Sequence, residues 1–141
     1  MEKVRIGYTS GVFDMFHIGH LNILKRAKEK CDYLVVGVTT DALCYQRKQK
    51  RPVICEQDRV EIVKSIKYVD KVVLQSDMDK LRMVKDLGAN VVFVGSDWKG
   101  SPSWNQYEKE FATIGCKVEY LSHTEGISSS ILRELLNKQN G

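Results

Sequence analysis

Two apolar runs decide most of what this chain can become. Tyr33–Thr39 reads YLVVGVT and Val91–Val94 reads VVFV. Both are nearly continuous and rich in β-branched residues, the pattern of strands buried on both faces. Such strands belong to a parallel sheet covered by helices on each side. The segments between them have the matching period. Ile18–Lys30 carries Leu21, Leu24 and Ala27 on one helical face, and Glu56–Tyr68 aligns Val60, Val63 and Ile66. Lys80–Leu87 reads as a helix ended by Gly88, and Trp104–Ile114 as one closed by Gly115. Ser128–Asn137 reads as a last helix with Ile131, Leu132, Leu135 and Leu136 apolar. Val4–Ser10, Lys71–Leu74 and Lys117–Leu121 supply the remaining strands. Thr40–Pro52 and Gly95–Ser103 are polar, hold both prolines, and read as loops.

A chain of 141 residues with no repeat or linker suits one domain, residues 1–141. Right-handed crossovers then favour an α/β, doubly wound, Rossmann-like fold. The expected sheet has five parallel strands in the order 3-2-1-4-5, with helices on both faces. Its switch point falls between the first and fourth strands, and ligands bind outside the carboxyl ends of the strands there. Two segments are therefore expected to meet at a site: Thr9–His20 and Gly95–Gly100.

Charge narrows the function. Lysine plus arginine number 22 against 18 aspartate plus glutamate, a net charge of +4. That balance suits a protein that handles phosphates. Only one dense basic run exists, Arg47–Arg51, and no aromatic residues interleave with it, so nucleic acid is not an expected partner. No apolar run approaches the ~18 residues of a membrane span, and Met1–Asp14 has no signal-peptide pattern, so a cytoplasmic location is expected. Cys31, Cys44, Cys55 and Cys116 form no C-x-x-C pair and are expected to be reduced thiols in small apolar sites.

Chemistry concentrates in one string, G-V-F-D-M-F-H-I-G-H, from Gly11 to His20. It follows the first strand and opens the first helix. A helix start offers unpaired N–H groups and partial positive charge, so it attracts phosphate. His17 and His20, three apart, lie on neighbouring parts of one face. Gly19 lets a bulky anion approach the backbone, and Gly11 lets the loop turn sharply. Phe13 is an apolar anchor. Asp14 either caps local N–H groups or orients a histidine. The plainer reading of the two histidines, helix capping, stays open. No third ligand falls at zinc spacing, and no resident metal site is expected.

The same string resembles the first signature of the cytidylyltransferase-type nucleotidyltransferases, whose core is H-x-G-H. The second signature of that superfamily, an I-S-S/T-S/T run opening the last helix, is matched by H-T-E-G-I-S-S-S at His123–Ser130. The chain is most similar to the bacterial glycerol-3-phosphate cytidylyltransferase group, over nearly its whole length. Further shared elements are Tyr33–Asp41, the segment around Lys48 and Lys50, Asp58–Arg59, Tyr68–Asp70 and Gly95–Trp98.

The resemblance implies attack of a substrate phosphate oxygen on the α-phosphorus of CTP, releasing pyrophosphate, with catalysis by positioning and charge stabilisation. His17, His20, Lys48 and Lys50 are the implied catalytic residues. Ser10, Gly11, Val12, Phe13, Asp14 and Gly19 are implied to meet the nucleotide. So are Gly95, Asp97 and Trp98, where Asp97 reads the cytosine edge and Trp98 walls the base. Thr124, Gly126, Ile127, Ser128 and Ser129 are implied to hold the β- and γ-phosphates, with His123 beside them. Lys48 and Lys50, in a mobile lid, and Arg59 and Lys67, on the second helix, are implied to bind the acceptor. Magnesium is expected through the nucleotide phosphates, and a homodimer is expected as the assembly.

Three positions depart from the group. His123 stands where arginine is common, Val12 where threonine is common, and Lys67 where arginine is common. All three bear on phosphate contacts more than on nucleotidyl transfer itself. Glycerol 3-phosphate is the lead acceptor. Phosphoethanolamine, phosphocholine and other polyol phosphates are alternatives, as are an adenylyltransferase using ATP and a nucleotide-binding module without activity.

Overall fold

The computed structural model describes residues 4–122. The expected last helix and the second signature, including His123, Thr124, Gly126, Ile127, Ser128 and Ser129, lie outside the described residues. Within them the sheet is β1 (Ile6–Gly11), β2 (Tyr33–Thr39), β3 (Lys71–Gln75), β4 (Val91–Gly95) and β5 (Lys117–Leu121). All pairs are parallel and the order is β3-β2-β1-β4-β5, as expected. The helices are α1 (Ile18–Glu29), α2 (Asp41–Lys48), α3 (Glu56–Lys64), α4 (Lys80–Leu87) and α5 (Pro102–Ala112). None of these is long and apolar enough to cross a membrane.

The buried strands divide their side chains between two cores. Leu34, Val36 and Val38 of β2 join Val91 and Phe93 of β4 against Leu24 and Ala27 of α1 and Val63 of α3. On the other face Tyr8, Val35 and Val92 meet Val84 of α4 and Trp104 and Phe111 of α5. This alternation along fully buried strands puts helices on both faces. Gly37 is required by the second core: a Cβ there would overlap the Tyr8 hydroxyl. That hydroxyl donates to Gln75 Oε1, so the phenol is fixed in place.

The register opens the site. β1 pairs with β2 along its whole length, Ile6↔Tyr33 to Gly11↔Val38. It pairs with β4 only at Gly7↔Val91 and Tyr8↔Val92. Beyond Tyr8 the two strands part, and a crevice forms at the expected switch point.

Two expectations for loops need correction. Thr40–Pro52 is not all loop: α2 occupies Asp41–Lys48, with Thr40 Oγ1 accepting from the Leu43 amide as its N-cap. The helix buries only Leu43 and Cys44, too few apolar positions to register as a period. Its end is Gln49, in the left-handed region at φ 54°. Pro102 is the first residue of α5, where its missing N–H is no loss, and Ser101 caps that helix. Of the four cysteines, Cys44 and Cys116 are buried as expected and Cys31 is half-buried, but Cys55 is exposed at the start of α3.

Candidate active site

The loop from β1 into α1 is held by side chains that bond its own backbone. His17 is the N-cap of α1, and its Nδ1 accepts from the Gly19 amide at 3.0 Å. His20 Nδ1 accepts in return from the His17 amide at 3.3 Å. The rings stack at 4.0 Å between centroids. Capping and chemistry are therefore not alternatives here. Because each Nδ1 accepts, each neutral ring carries its proton on Nε2. Burial keeps the rings neutral. It pushes His20 down to about 4, helped by His17 and opposed by Asp14, and it lowers His17 as well. Among the described residues, His17 Nε2 is buried without a hydrogen-bond partner. A buried donor left unpaired costs about 1–3 kcal/mol, which marks it as poised for an external acceptor.

Phe13 and Met15 adopt φ of 54° and 50°, in the left-handed region that non-glycine residues rarely enter. The strain turns the chain sharply enough to bring Phe13 edge-on to His20, 5.5 Å between centroids.

Two adjoining hollows open at the crevice. A histidine hollow of about 300 Å³ is lined by Phe13, His20, Ile23 and Gly95 among others. A cation hollow of about 340 Å³ is lined by Arg47 and Lys48 of α2, Lys80 of α4, and an apolar and aromatic side. They share Ser10, Gly11, Val12, Val94 and Trp98 as a common wall. A single wall between a donor-bearing pocket and a cation-bearing pocket is a geometry for two anionic ligands meeting end to end.

A family model described as cytidylyltransferase-like matches residues 8–135 of this chain. The chain belongs to the cytidylyltransferase-like family. It is accordingly an enzyme of the nucleotidyltransferase type. It is 36% identical over 135 residues to the glycerol-3-phosphate cytidylyltransferase of Bacillus subtilis (strain 168), covering 95% of this chain and 96% of that one. It is 31% identical over 136 residues to the FAD synthase of Archaeoglobus fulgidus, covering 94% and 98% of the two chains. Among solved structures, the lipopolysaccharide core biosynthesis protein of Thermoplasma volcanium GSS1 superposes with a TM-score of 0.72. That match has 25% identity over 86% of this chain and 98% of the other.

The structure brings together part of the expected site of this cytidylyltransferase-like chain. Ser10, Gly11, Val12, Phe13, His20, Gly95 and Trp98 line the hollows, and Lys48 lines the second. Asp97 sits on the single 3-10 turn after β4, exposed beside the crevice but outside the lining of either hollow. Gly19 is inside the first turn of α1, with its amide already given to His17. Lys50 is exposed past the end of α2 and lines neither hollow.

Three other expectations are corrected. Asp14 is 2% exposed and accepts from the Val53 and Ile54 amides at 2.8 and 2.9 Å. It ties the segment before α3 to the histidine loop and does not line a hollow. Arg59 is fully buried. Its guanidinium donates to the carbonyls of Val12, Thr39 and Ile54, and pairs with Asp41 at 2.5 Å. Every nitrogen is used inside the protein, so Arg59 is a strut under the site rather than an acceptor ligand. Lys67 lies past the end of α3, exposed, its ammonium over the Tyr68 ring at 5.2 Å. The helix carries the chain from the carboxyl to the amino ends of the strands. Lys67, past the end of α3 and four residues before β3, therefore lies toward the amino ends of the strands, away from this site.

Lys80 lines the cation hollow and is not among the residues the sequence points to. Its ammonium donates to Ser10 Oγ at 2.8 Å and lies 6.0 Å above the Trp104 ring. Burial, with Arg47 adding, lowers it to about 8. No carboxylate pairs with Arg47, Lys48 or Lys80 among the described residues. Its only signal in the sequence is its place as the first residue of a helix on the switch-point side. Arg47, also overlooked as a ligand, had been read only as part of a basic run.

Proposed function

We propose that this enzyme transfers CMP from CTP to glycerol 3-phosphate, giving CDP-glycerol and pyrophosphate. The observation that carries the reading is the pair of hollows on one wall, with His20 of the stacked histidine pair on one side and, on the other, three cations that no carboxylate pairs among the described residues. CTP takes the histidine hollow, with its base toward Trp98 and Asp97. The acceptor takes the cation hollow, its phosphate drawn by Lys80, Arg47 and Lys48. A phosphate oxygen then attacks the α-phosphorus in line as the bond to the β-phosphate oxygen breaks. His17 and His20 donate through Nε2 to oxygens whose negative charge grows as pyrophosphate leaves. His123, Thr124, Ser128 and Ser129 are assigned to the β- and γ-phosphates by family likeness. The similarity to glycerol-3-phosphate cytidylyltransferases over nearly the full length of both chains supports the choice of base and acceptor.

Among the described residues, no group of three or more His, Cys, Asp or Glu side chains is placed to hold a metal ion. The donor set around the hollows is cationic or neutral. That set suits magnesium carried on phosphate oxygens, where it offsets triphosphate charge, rather than a protein cage. Family likeness also supports a homodimer, which sedimentation at several concentrations tests; a concentration-independent monomer rejects it.

The test of the function is pyrophosphate release with magnesium, crossing CTP and ATP against glycerol 3-phosphate, phosphocholine, phosphoethanolamine and a phosphosugar. Release with CTP and glycerol 3-phosphate alone is expected. Release with CTP and a different acceptor keeps the mechanism and replaces the product. Release with ATP alone overturns the reading of the base pocket.

A further inference from the structure

The cation hollow contains more than a phosphate site. Among the described residues, no aspartate or glutamate lines it. Opposite Lys80 and Arg47 stand Met78, Trp104 and Tyr107. Trp104 and Tyr107 meet edge to face at 5.0 Å, and Tyr107 stacks on Phe111 at 5.7 Å, so the phenol ring is fixed from two sides. Its hydroxyl reaches the Met78 carbonyl only at 3.5 Å, the outer limit of a hydrogen bond. It is a rigid donor and acceptor in the lining of the hollow, held on an aromatic side with Ser103 and Thr39 as the other hydroxyls there beyond Ser10, and its one printed bond is long.

We propose that this wall selects a neutral, hydroxyl-bearing alcohol phosphate as acceptor and that Tyr107 is the specificity-determining residue, its phenol bonding an acceptor hydroxyl. The inference rests on the cytidylyl-transfer reading above and deepens it. An acceptor with an ammonium or trimethylammonium end would meet the charges of Arg47, Lys48 and Lys80 and, among the described residues, no lining carboxylate, Asp79 and Glu110 acting on Tyr107 only from outside the lining, which disfavours it electrostatically. The aromatic face that such an end would seek, Trp104, is already covered by the Lys80 ammonium. A neutral polyol escapes that repulsion, packs its carbons on Met78, and gives its hydroxyl to Tyr107. A site built to bond a hydroxyl discriminates strongly against an analogue lacking one, because its own polar atom is then left unpaired.

The test uses the full-length enzyme, CTP, and two acceptors differing by one hydroxyl: glycerol 3-phosphate and 3-hydroxypropyl phosphate. In the wild type, kcat/KM is expected to favour glycerol 3-phosphate by about tenfold or more. In Tyr107→Phe, which keeps the ring and its stacking, that ratio is expected to fall toward one. The loss should come through KM for glycerol 3-phosphate, with KM for CTP unchanged. A ratio that survives in Tyr107→Phe overturns the role of Tyr107 while leaving cytidylyl transfer to glycerol 3-phosphate intact. Faster turnover of phosphoethanolamine than of either neutral acceptor overturns the selection of a neutral alcohol. Absence of turnover with both neutral acceptors, when CTP is consumed with another, overturns the acceptor reading and this inference together.

Discussion

The histidine hollow and the cation hollow share a wall but are built in opposite ways. The first is made mainly by one contiguous string. Its parts cap each other: His17 on the Gly19 amide, His20 on the His17 amide, and Phe13 against the His20 ring. The second is assembled from the ends of separate elements, with Lys48 from α2, Lys80 from α4 and Tyr107 from α5. A local motif secures its geometry by short-range bonds. A dispersed site depends on the fold to bring its charges together, and on struts to hold them. Effects of mutation should differ accordingly: loss of rate on one side, loss of stability or acceptor affinity on the other.

The largest effect is expected at the histidines. His17→Ala or His20→Ala should lower kcat by ~10²-fold or more, the usual cost of losing a donor to developing charge. The KM for CTP should change far less. Near-normal turnover in both variants removes the proposed chemistry and reduces the pair to helix caps.

How much of this was legible beforehand follows the same division. The sheet order came from the strand runs, because β2 and β4 are buried on both faces and announce it in composition alone. The switch point and its two converging segments followed from topology. The histidine pair was legible because residues three apart on one helical turn must be near one another. Arg59 was misread because sequence carries no information on which carbonyls surround a side chain. A buried guanidinium satisfied by Val12, Thr39, Ile54 and Asp41 looks, as a letter, the same as a phosphate ligand. Lys80 was missed for the converse reason: it meets Ser10 across 70 residues of chain, and nothing local marks it. Asp14 was read as either a local cap or an orienter of a histidine. The structure spends it on amides 39 and 40 residues away, and its charge also acts on His20.

Arg59 supplies the second prediction. Arg59→Ala should lower stability by ~3–5 kcal/mol, the usual loss when one partner of a buried pair is removed. Arg59→Lys should recover only part, since an ammonium cannot reproduce a planar fork reaching four acceptors. Thermal unfolding of both variants distinguishes a strut from a ligand. Unchanged melting with a raised KM for the acceptor restores the discarded ligand role.

Lys80 should behave in the opposite sense. Lys80→Met retains the stem that packs near Trp104 and removes the charge. The KM for the acceptor should rise ~10-fold or more, in line with ~1.5–3 kcal/mol for a hydrogen bond to a charged group. The KM for CTP and the melting temperature should hardly move. An equal rise in both KM values would show that the two hollows are not separate subsites.

The smallest effects, and the sharpest division between the hollows, are expected in the pH profiles. On the histidine side the ordinary inflection near 6.5 should be missing, because His20 is held neutral down to about 4. The sign for stability follows. Between about 4 and 6.5 the unfolded chain binds more protons at this position than the folded one, so stability rises with pH through that window and is complete above it. On the cation side, Lys80 in the free enzyme begins to lose its proton near 8. The kcat/KM for the acceptor should therefore fall as pH rises through about 8, while the kcat/KM for CTP continues level. Bound phosphate raises the affinity of Lys80 for its proton, so kcat at saturating acceptor should fall later than kcat/KM. An alkaline limb that disappears in Lys80→Met assigns it to this lysine. A limb that persists unchanged in that variant belongs to another group and takes the titration argument away from Lys80.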